Sequence, residues 1–340
     1  GVSVAVSSDH IFVGTKVYDQ FALAPGSLYI FSKDGNGDWL QTQKIVPPVT
    51  ESVYVNYYFG HSVAVSGDYL LVATAINAQA AAGGTLAHIY KKDGAGIWQY
   101  HQKIIVPPTY NFTTDDISID GNYIALGGTT ESGGNEEVFI FEKDGNDVWT
   151  FTQSLVDPDA LRTTWFGKSV SISGNLLAVG SKTNSTNELD ADVQAGTGAV
   201  YIYKRDVNGV WVKQQKIVAN DRFYGSGFGS DVALDGNTLV TSSSSYFKSF
   251  DGVYQASTYY EGEIYVFKNL QANSLPNVAD VSFTPGRVAS MLFATPTDEP
   301  ILSIGMTGAL PLRNIATNVK VWKQNTEQSS AGKLYLARNY

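Results

Sequence analysis

The 340-residue chain is 43% apolar, 12% aromatic and only 16% charged, with a formal charge of −9 and no cysteine. It can bury a full core, but its low charge, 33 Gly and 20 Tyr argue against helical bundles and coiled coils. Disulfides, thiolate metal sites and cysteine nucleophiles are excluded, the excess of 32 acids over 23 bases disfavours nucleic acid as a partner, and no apolar run reaches the roughly 18 residues needed for membrane insertion.

Taken in chain order, the sequence falls into similar units, with approximate bounds 1–58, 59–112, 113–165, 166–227, 228–284 and 285–340. The first contains the alternating run Leu28-Tyr29-Ile30-Phe31, followed by Lys33-Asp34-Gly35 and then Trp39 and Lys44. The second shows the whole pattern. Val63-Ala64-Val65 turns at Ser66-Gly67-Asp68 into Tyr69-Leu70-Leu71-Val72; Ala87-His88-Ile89-Tyr90 follows, then Lys92-Asp93-Gly94, Trp98 and Lys103. In the third, Ile117-Ser118-Ile119 turns at Asp120-Gly121-Asn122 into Tyr123-Ile124-Ala125-Leu126, before Val138-Phe139-Ile140-Phe141, Lys143-Asp144-Gly145, Trp149 and Ser154. The fourth repeats it with Val170-Ser171-Ile172, Ser173-Gly174-Asn175, Val200-Tyr201-Ile202-Tyr203, Arg205-Asp206, Trp211 and Lys216. The fifth carries Val232-Ala233-Leu234, Asp235-Gly236-Asn237 and Ile264-Tyr265-Val266-Phe267.

The sixth unit is degenerate, with strands expected at Val288-Ala289-Ser290-Met291, Ile301-Leu302-Ser303-Ile304, Val319-Lys320-Val321-Trp322 and Lys333-Leu334-Tyr335-Leu336. Short β-branched and aromatic runs bounded by Gly and Asp read as strands, and Gly and Asn supply the positive φ of tight hairpin turns. Each unit is therefore four consecutive antiparallel strands. Such meanders must stack on one another to bury both faces, which predicts an all-β, single-domain β-propeller over 1–340, with six blades and seven as the alternative count.

Phe59-Gly60-His61-Ser62-Val63, Phe166-Gly167-Lys168-Ser169-Val170 and Phe228-Gly229-Ser230-Asp231-Val232 resemble the FG-GAP repeat of integrin α-chain propellers and many secreted microbial proteins. The strand from Gly26 to Phe31, with variants from Gly198 to Tyr203 and from Gly262 to Phe267, is similar to that family too. The third unit departs from it, carrying Thr113-Thr114 in place of Phe-Gly. Integrin-like repeats hold calcium in an acidic loop between the first two strands. Here that connection is a bare turn, too short for the six to eight oxygens of calcium, so no metal and no cofactor is expected.

In a meander the first and third connections share one end of every blade, and here they are short and repetitive. The remaining connections are long and differ between blades, and variable loops on a rigid scaffold are where binding concentrates. On that face lie Tyr54, Tyr57 and Tyr58 before Phe59, and Tyr246, Phe247, Phe250, Tyr254, Tyr259 and Tyr260 in the fifth unit; Trp165 and Tyr224 occupy corresponding connections. Tyrosine and tryptophan offer large contact area with few rotors, which suits a glycan or an extracellular protein, although the same rings could equally pack the loops onto the blades. The repeated Trp39, Trp98, Trp149 and Trp211 read as packing.

Glu188, Asp190 and Asp192 form an acidic loop, read as solvated, and Asn111 and Asn184 sit in glycosylation acceptor sequences. Of the histidines, His10 reads as a turn residue and His88 and His101 as blade packing, while His61, beside a Phe-Gly, is the one with a candidate role. No nucleophile elbow, metalloprotease helix or phosphate loop is present. The expectation is a non-catalytic binding or adhesion module, extracellular or at the cell surface. The alternative is a self-associating subunit of an extracellular fibre or coat; a third reading is a polysaccharide-active enzyme whose carboxylates come from different blades. The chain opens inside a repeat without a signal peptide, so upstream residues are expected to have been removed.

Overall fold

The computed structural model describes residues 1–15, 26–48, 59–74, 85–105, 112–130, 136–159, 164–187, 189, 191, 193, 195–219, 222, 224–244, 262–268, 270, 278–281, 290–294 and 301–305. The first blade is built from β1 (Ser3–Val6), β2 (His10–Thr15), β3 (Ser27–Lys33) and β4 (Trp39–Ile45). The second holds β5 (Val63–Ser66), β6 (Tyr69–Ala73), β7 (Thr85–Lys92) and β8 (Trp98–Ile105). The third holds β9 (Phe112–Asp120), β10 (Tyr123–Thr130), β11 (Glu136–Lys143) and β12 (Trp149–Val156). The fourth holds β13 (Phe166–Ser173), β14 (Leu176–Ser181), β15 (Ala199–Arg205) and β16 (Trp211–Ile217). The fifth holds β17 (Phe228–Asp235), β18 (Thr238–Ser244), β19 (Gly262–Phe267) and β20 (Val278–Val281). Each is a meander with strands in chain order.

The expected six blades, and the alternative of seven, are corrected to five four-stranded blades. In the sixth unit the described residues form only a two-stranded hairpin, β21 (Ser290–Ala294) with β22 (Ile301–Gly305). That hairpin overlaps two of the expected strands; those at 319–322 and 333–336 lie outside the described residues. The unit lacks the signals that build the others. A six-residue connection with two prolines, 295–300, replaces the Gly or Asn turn, and no Phe-Gly pair precedes it.

The blades stack through their first strands: β5 packs on β1, β9 on β5, β13 on β9 and β17 on β13. The apolar residues cluster between blades, with one core at each of four junctions. Sheets sandwiched this way are buried on both faces, so every residue of β14 is buried. The first blade has no preceding blade among the described residues. Trp39, 39% exposed where Trp98, Trp149 and Trp211 are buried, departs from its expected packing role for that reason.

Hydrogen bonds at the junctions follow from a problem of sheet edges. An innermost strand has an unpaired edge whose N–H groups need acceptors. The preceding blade supplies them from side chains. Asp116, Ser118 and Asp120 accept from the N–H groups of Val170, Ile172 and Gly174 at 2.9, 3.0 and 2.6 Å. Ser169, Ser171 and Ser173 accept from Val232, Leu234 and Gly236 at 3.0, 2.9 and 2.9 Å.

On the outer side, a β-bulge recurs between the third and fourth strands, after Ile30, Ile89, Ile140 and Ile202. The residue following each bulge is a glutamine. Gln43, Gln102 and Gln153 each grip both backbone groups of the next blade's tryptophan, Trp98, Trp149 and Trp211, at 2.7 to 3.0 Å.

The Phe-Gly pair has a partner as well. Gly60, Gly167 and Gly229 have φ of 86°, 80° and 83°, and this turn drives a carbonyl against a glycine on the second strand of the preceding blade. A Cβ on Gly14, Gly127 or Gly180 would lie 2.0, 1.9 or 2.2 Å from the oxygens of Gly60, Gly167 and Gly229. Where the Phe-Gly pair is replaced by Thr113-Thr114, the preceding blade carries Ala73 at that position.

Two predictions follow from these junctions. Gly180→Ala should lower the unfolding free energy by about 1–3 kcal/mol through overpacking, whereas Gly35→Ala, whose Cβ would meet nothing within 4 Å, should stay within about 0.5 kcal/mol of wild type. Equal effects in urea titrations would refute the close-approach argument. Gln153→Ala strips partners from both backbone groups of Trp211 and should destabilise by about 1–3 kcal/mol; an unchanged urea midpoint would count against the clamp.

Candidate functional site

The two ends of the blades differ in chemistry. At the short-turn end, the carboxylate of Asp34 accepts the N–H groups of Asn36 and Asp38 at 2.8 and 2.9 Å. Asp93, Asp144 and Asp206 do the same two and four residues on. Backbone hydrogen bonds, led by Ile97, Val148 and Val210, hold the carboxyls of Asp93, Asp144 and Asp206 below their ordinary range. These acids are consumed by turn geometry.

One turn does more. The left-handed place held by Gly37, Gly96 and Gly209 is taken in the third blade by Asp147, with φ 70°. Its carboxylate reaches back to the second blade, accepting from Lys91 at 2.5 Å and from the Tyr69 hydroxyl, while its carbonyl lies 2.8 Å from His101 Nε2. Burial raises its pKa, but Lys91 and Tyr69 outweigh that and bring it down to about 2.

The long-connection end is centred, among the described residues, on Trp165. This residue directly precedes Phe166 and has φ 58°. The corresponding position before Phe228 is Gly227, with φ 64°. A bulky residue in a left-handed backbone costs on the order of 1–3 kcal/mol and persists only where its surroundings hold it. The buried carboxylate of Glu136 does so, with Oε2 accepting from the N–H of Thr164 at 2.9 Å, the N–H of Phe166 at 2.8 Å and the Thr164 hydroxyl at 2.8 Å. The Thr164 carbonyl in turn accepts from Thr183 N at 2.9 Å.

Glu136 occupies a place where the first, fourth and fifth blades carry Gly26, Gly198 and Gly262 and the second carries Thr85. So pinned, the Trp165 side chain is 40% exposed, with the ammonium groups of Lys168 and Lys182 5.2 and 5.4 Å from its ring centroid. Lys168 also pairs with Asp115.

A second polar knot braces the fourth blade's long loop. Asp159 Oδ2 accepts from Lys216 at 2.5 Å, Tyr201 OH at 2.7 Å, Asn184 Nδ2 at 2.8 Å and Thr186 Oγ1 at 3.0 Å. Burial works against ionisation there, but Lys216, Tyr201 and Asn184 hold the Asp159 carboxyl well below the usual range. Asn184 is itself buried, and its amide also donates to Tyr201 OH at 3.0 Å. Its nitrogen is committed to the loop's packing and does not face solvent for a glycan. Arg222, donating to the Ser185 carbonyl at 3.2 Å, ties the connection into the fifth blade to the same loop.

The structure thus brings Trp165 together with Lys168 and Lys182, and places Tyr224, half exposed, in the next connection. Tyr54, Tyr57, Tyr58, Tyr246, Phe247, Phe250, Tyr254, Tyr259, Tyr260, Asn111, Glu188, Asp190 and Asp192 lie outside the described residues. His10 and His88 are buried against Trp98 and Phe59, with ring centroids 5.8 and 5.7 Å apart. Glu136, Lys168 and Lys182 escaped the reading of the sequence, although a glutamate at a repeat's glycine position was a visible signal for the first.

Near the axis, Asp116 carries a testable pH dependence. Its Oδ2 accepts from Val170 N at 2.9 Å, but burial dominates and pushes the carboxyl up to about 6 from 3.8. The folded chain then binds more protons than the unfolded chain between pH 4 and 6. Stability due to this group therefore falls as pH rises through that window, by on the order of 2–3 kcal/mol. Burial raises Asp157 as well, so Asp116→Asn should reduce the fall in urea midpoint without abolishing it. Because the lowered carboxyls of Asp147 and Asp159 change stability in the opposite sense, the comparison is between the two chains: a variant whose midpoint changes from pH 4 to 6 as the wild type's does would contradict this assignment.

The FG-GAP repeat family profile matches residues 149–203 and 211–267. Each match begins at a fourth-strand tryptophan and ends on the third strand of the next blade, so it spans a junction and includes that junction's Phe-Gly pair. Among curated proteins, none matches the chain significantly. The matched repeats, the Phe-Gly junctions and the stacked four-stranded blades together support an FG-GAP repeat propeller family for this chain.

Proposed function

We propose that the chain is a non-catalytic binding module that works outside the cell or at its surface, recognising a glycan or an extracellular protein through its long-connection face. The observation that carries this reading is the asymmetry of the two ends. Turn carboxylates at one end are bonded to their own backbone, whereas the other end holds exposed Trp165 and Tyr224; the sequence adds tyrosine-rich stretches around Tyr57 and Tyr254. An extracellular setting accords with the family. Among the described residues, no helix is long and apolar enough to cross a membrane.

A second reading, a building block of a fibre or coat, draws support from the first blade, whose Val2, Val4, Val6, Trp39 and Leu40 are exposed and which has no preceding blade among the described residues. Light scattering separates the two, since a monomer at high concentration argues against assembly.

The test of the binding reading is a glycan array with product analysis. Retention of a glycan without cleavage is the expected result, and released products would move the chain to the polysaccharide-active class. Alanine at Tyr254 and Tyr259 should weaken the retained ligand about tenfold or more with the melting temperature nearly unchanged; lost stability instead would assign those rings to packing.

A further inference from the structure

The Trp165 turn combines three features that packing alone does not require. Its backbone is left-handed at φ 58°, a conformation that the equivalent Gly227 adopts without a side chain. Its neighbours' N–H groups are held by Glu136, a buried carboxylate at a position that is glycine in three of the other four blades. And Trp165 is 40% exposed, with the ammonium groups of Lys168 and Lys182 over part of its ring. A tryptophan serving the core would be buried, as Trp98, Trp149 and Trp211 are. Here the strain turns the ring outward.

We propose that Trp165, Lys168 and Lys182 form a subsite for a carboxylate-bearing sugar, a uronate residue of an acidic polysaccharide. The chemistry matches feature by feature. A pyranose ring has an apolar C–H face that covers an indole, and a polysaccharide offers such a face at every residue. The two ammonium groups, 5.2 and 5.4 Å from the ring centroid, are close enough to receive a carboxylate on the sugar that rests there. Lys168 is oriented by Asp115, and Lys182 directly follows β14. A neutral sugar would use only the ring, and an acidic peptide only the lysines. A uronate uses both.

The inference rests on the proposed binding role and narrows it to one ligand class and one site. Three probes, measured by isothermal titration calorimetry against the whole chain, decide it: hexagalacturonate, maltohexaose and poly-L-glutamate. Hexagalacturonate should bind, with affinity falling as salt rises, and maltohexaose should bind at least about tenfold more weakly. Trp165→Gly should weaken hexagalacturonate about tenfold or more while the melting temperature holds or rises by about 2–4 °C, because glycine adopts this backbone without strain. Lys182→Gln should weaken binding and flatten the salt dependence.

Wild-type affinity in Trp165→Gly, or a fall of several degrees in its melting temperature, would overturn the site, the second by showing that the ring is structural. Tighter binding of poly-L-glutamate than of the uronate would give the lysines to an acidic peptide and overturn it too. A neutral glycan or a protein retained independently of Trp165 would sink this subsite alone. If no glycan or protein is retained at all, the binding role falls with it.

Discussion

Everything in this chain depends on how one blade meets the next. A four-stranded meander cannot satisfy itself: it has two apolar faces and an inner edge with unpaired N–H groups. Stacking removes both defects together. The apolar faces close into cores that belong to no single blade, and the edge N–H groups of β13 and β17 find oxygens on Asp116, Ser118, Asp120, Ser169, Ser171 and Ser173 of the blade before. The short polar side chains along inner strands, which read as solvent-facing in isolation, are thus the hydrogen-bond acceptors of the neighbour.

The repeat was legible because this junction imposes chemistry at fixed spacing. Aspartate three residues before the turn's left-handed position, tryptophan at the start of the outer strand and glycine after phenylalanine each answer a local geometric demand, and each recurs. Why the glutamine recurs was not legible. Gln43, Gln102 and Gln153 stand out as part of a repeated unit, but their partners are the tryptophan backbones of another blade, and a single sequence does not reveal a side-chain bond across some fifty residues. The blade count failed for a related reason. Hydrophobic alternation alone suggested strands in the last unit, whereas the first four blades also carry the aspartate turn and outer-strand tryptophan, and the fifth the Phe-Gly pair, that this unit lacks.

The pairing of Gly14, Gly127 and Gly180 with Gly60, Gly167 and Gly229 shows how tightly the junction constrains composition. Two backbones approach so closely that the second-strand glycines leave no room for a Cβ, while the glycines facing them hold a left-handed φ. At the one junction where threonines replace the Phe-Gly pair, an alanine appears opposite. The two substitutions make sense together and neither does alone. The matched family unit straddles this contact, as expected if the junction, more than the blade, is the object that the sequence pattern encodes.

Departures from the repeat gain meaning against that background. Where local rules agree with the global fold, a residue is explained by structure, and an isolated breach points to another demand. Asp147 breaches the glycine rule and answers it structurally, by bonding Lys91 and Tyr69 of the preceding blade. Trp165 breaches the same rule with a side chain whose ring stays open to solvent, and Glu136 breaches a second one to hold it there. Structural need accounts for the aspartate because its gain is internal. It does not account for the tryptophan, since a glycine would make the same turn without strain, and what the larger residue adds is a partly exposed ring with two ammonium groups over it.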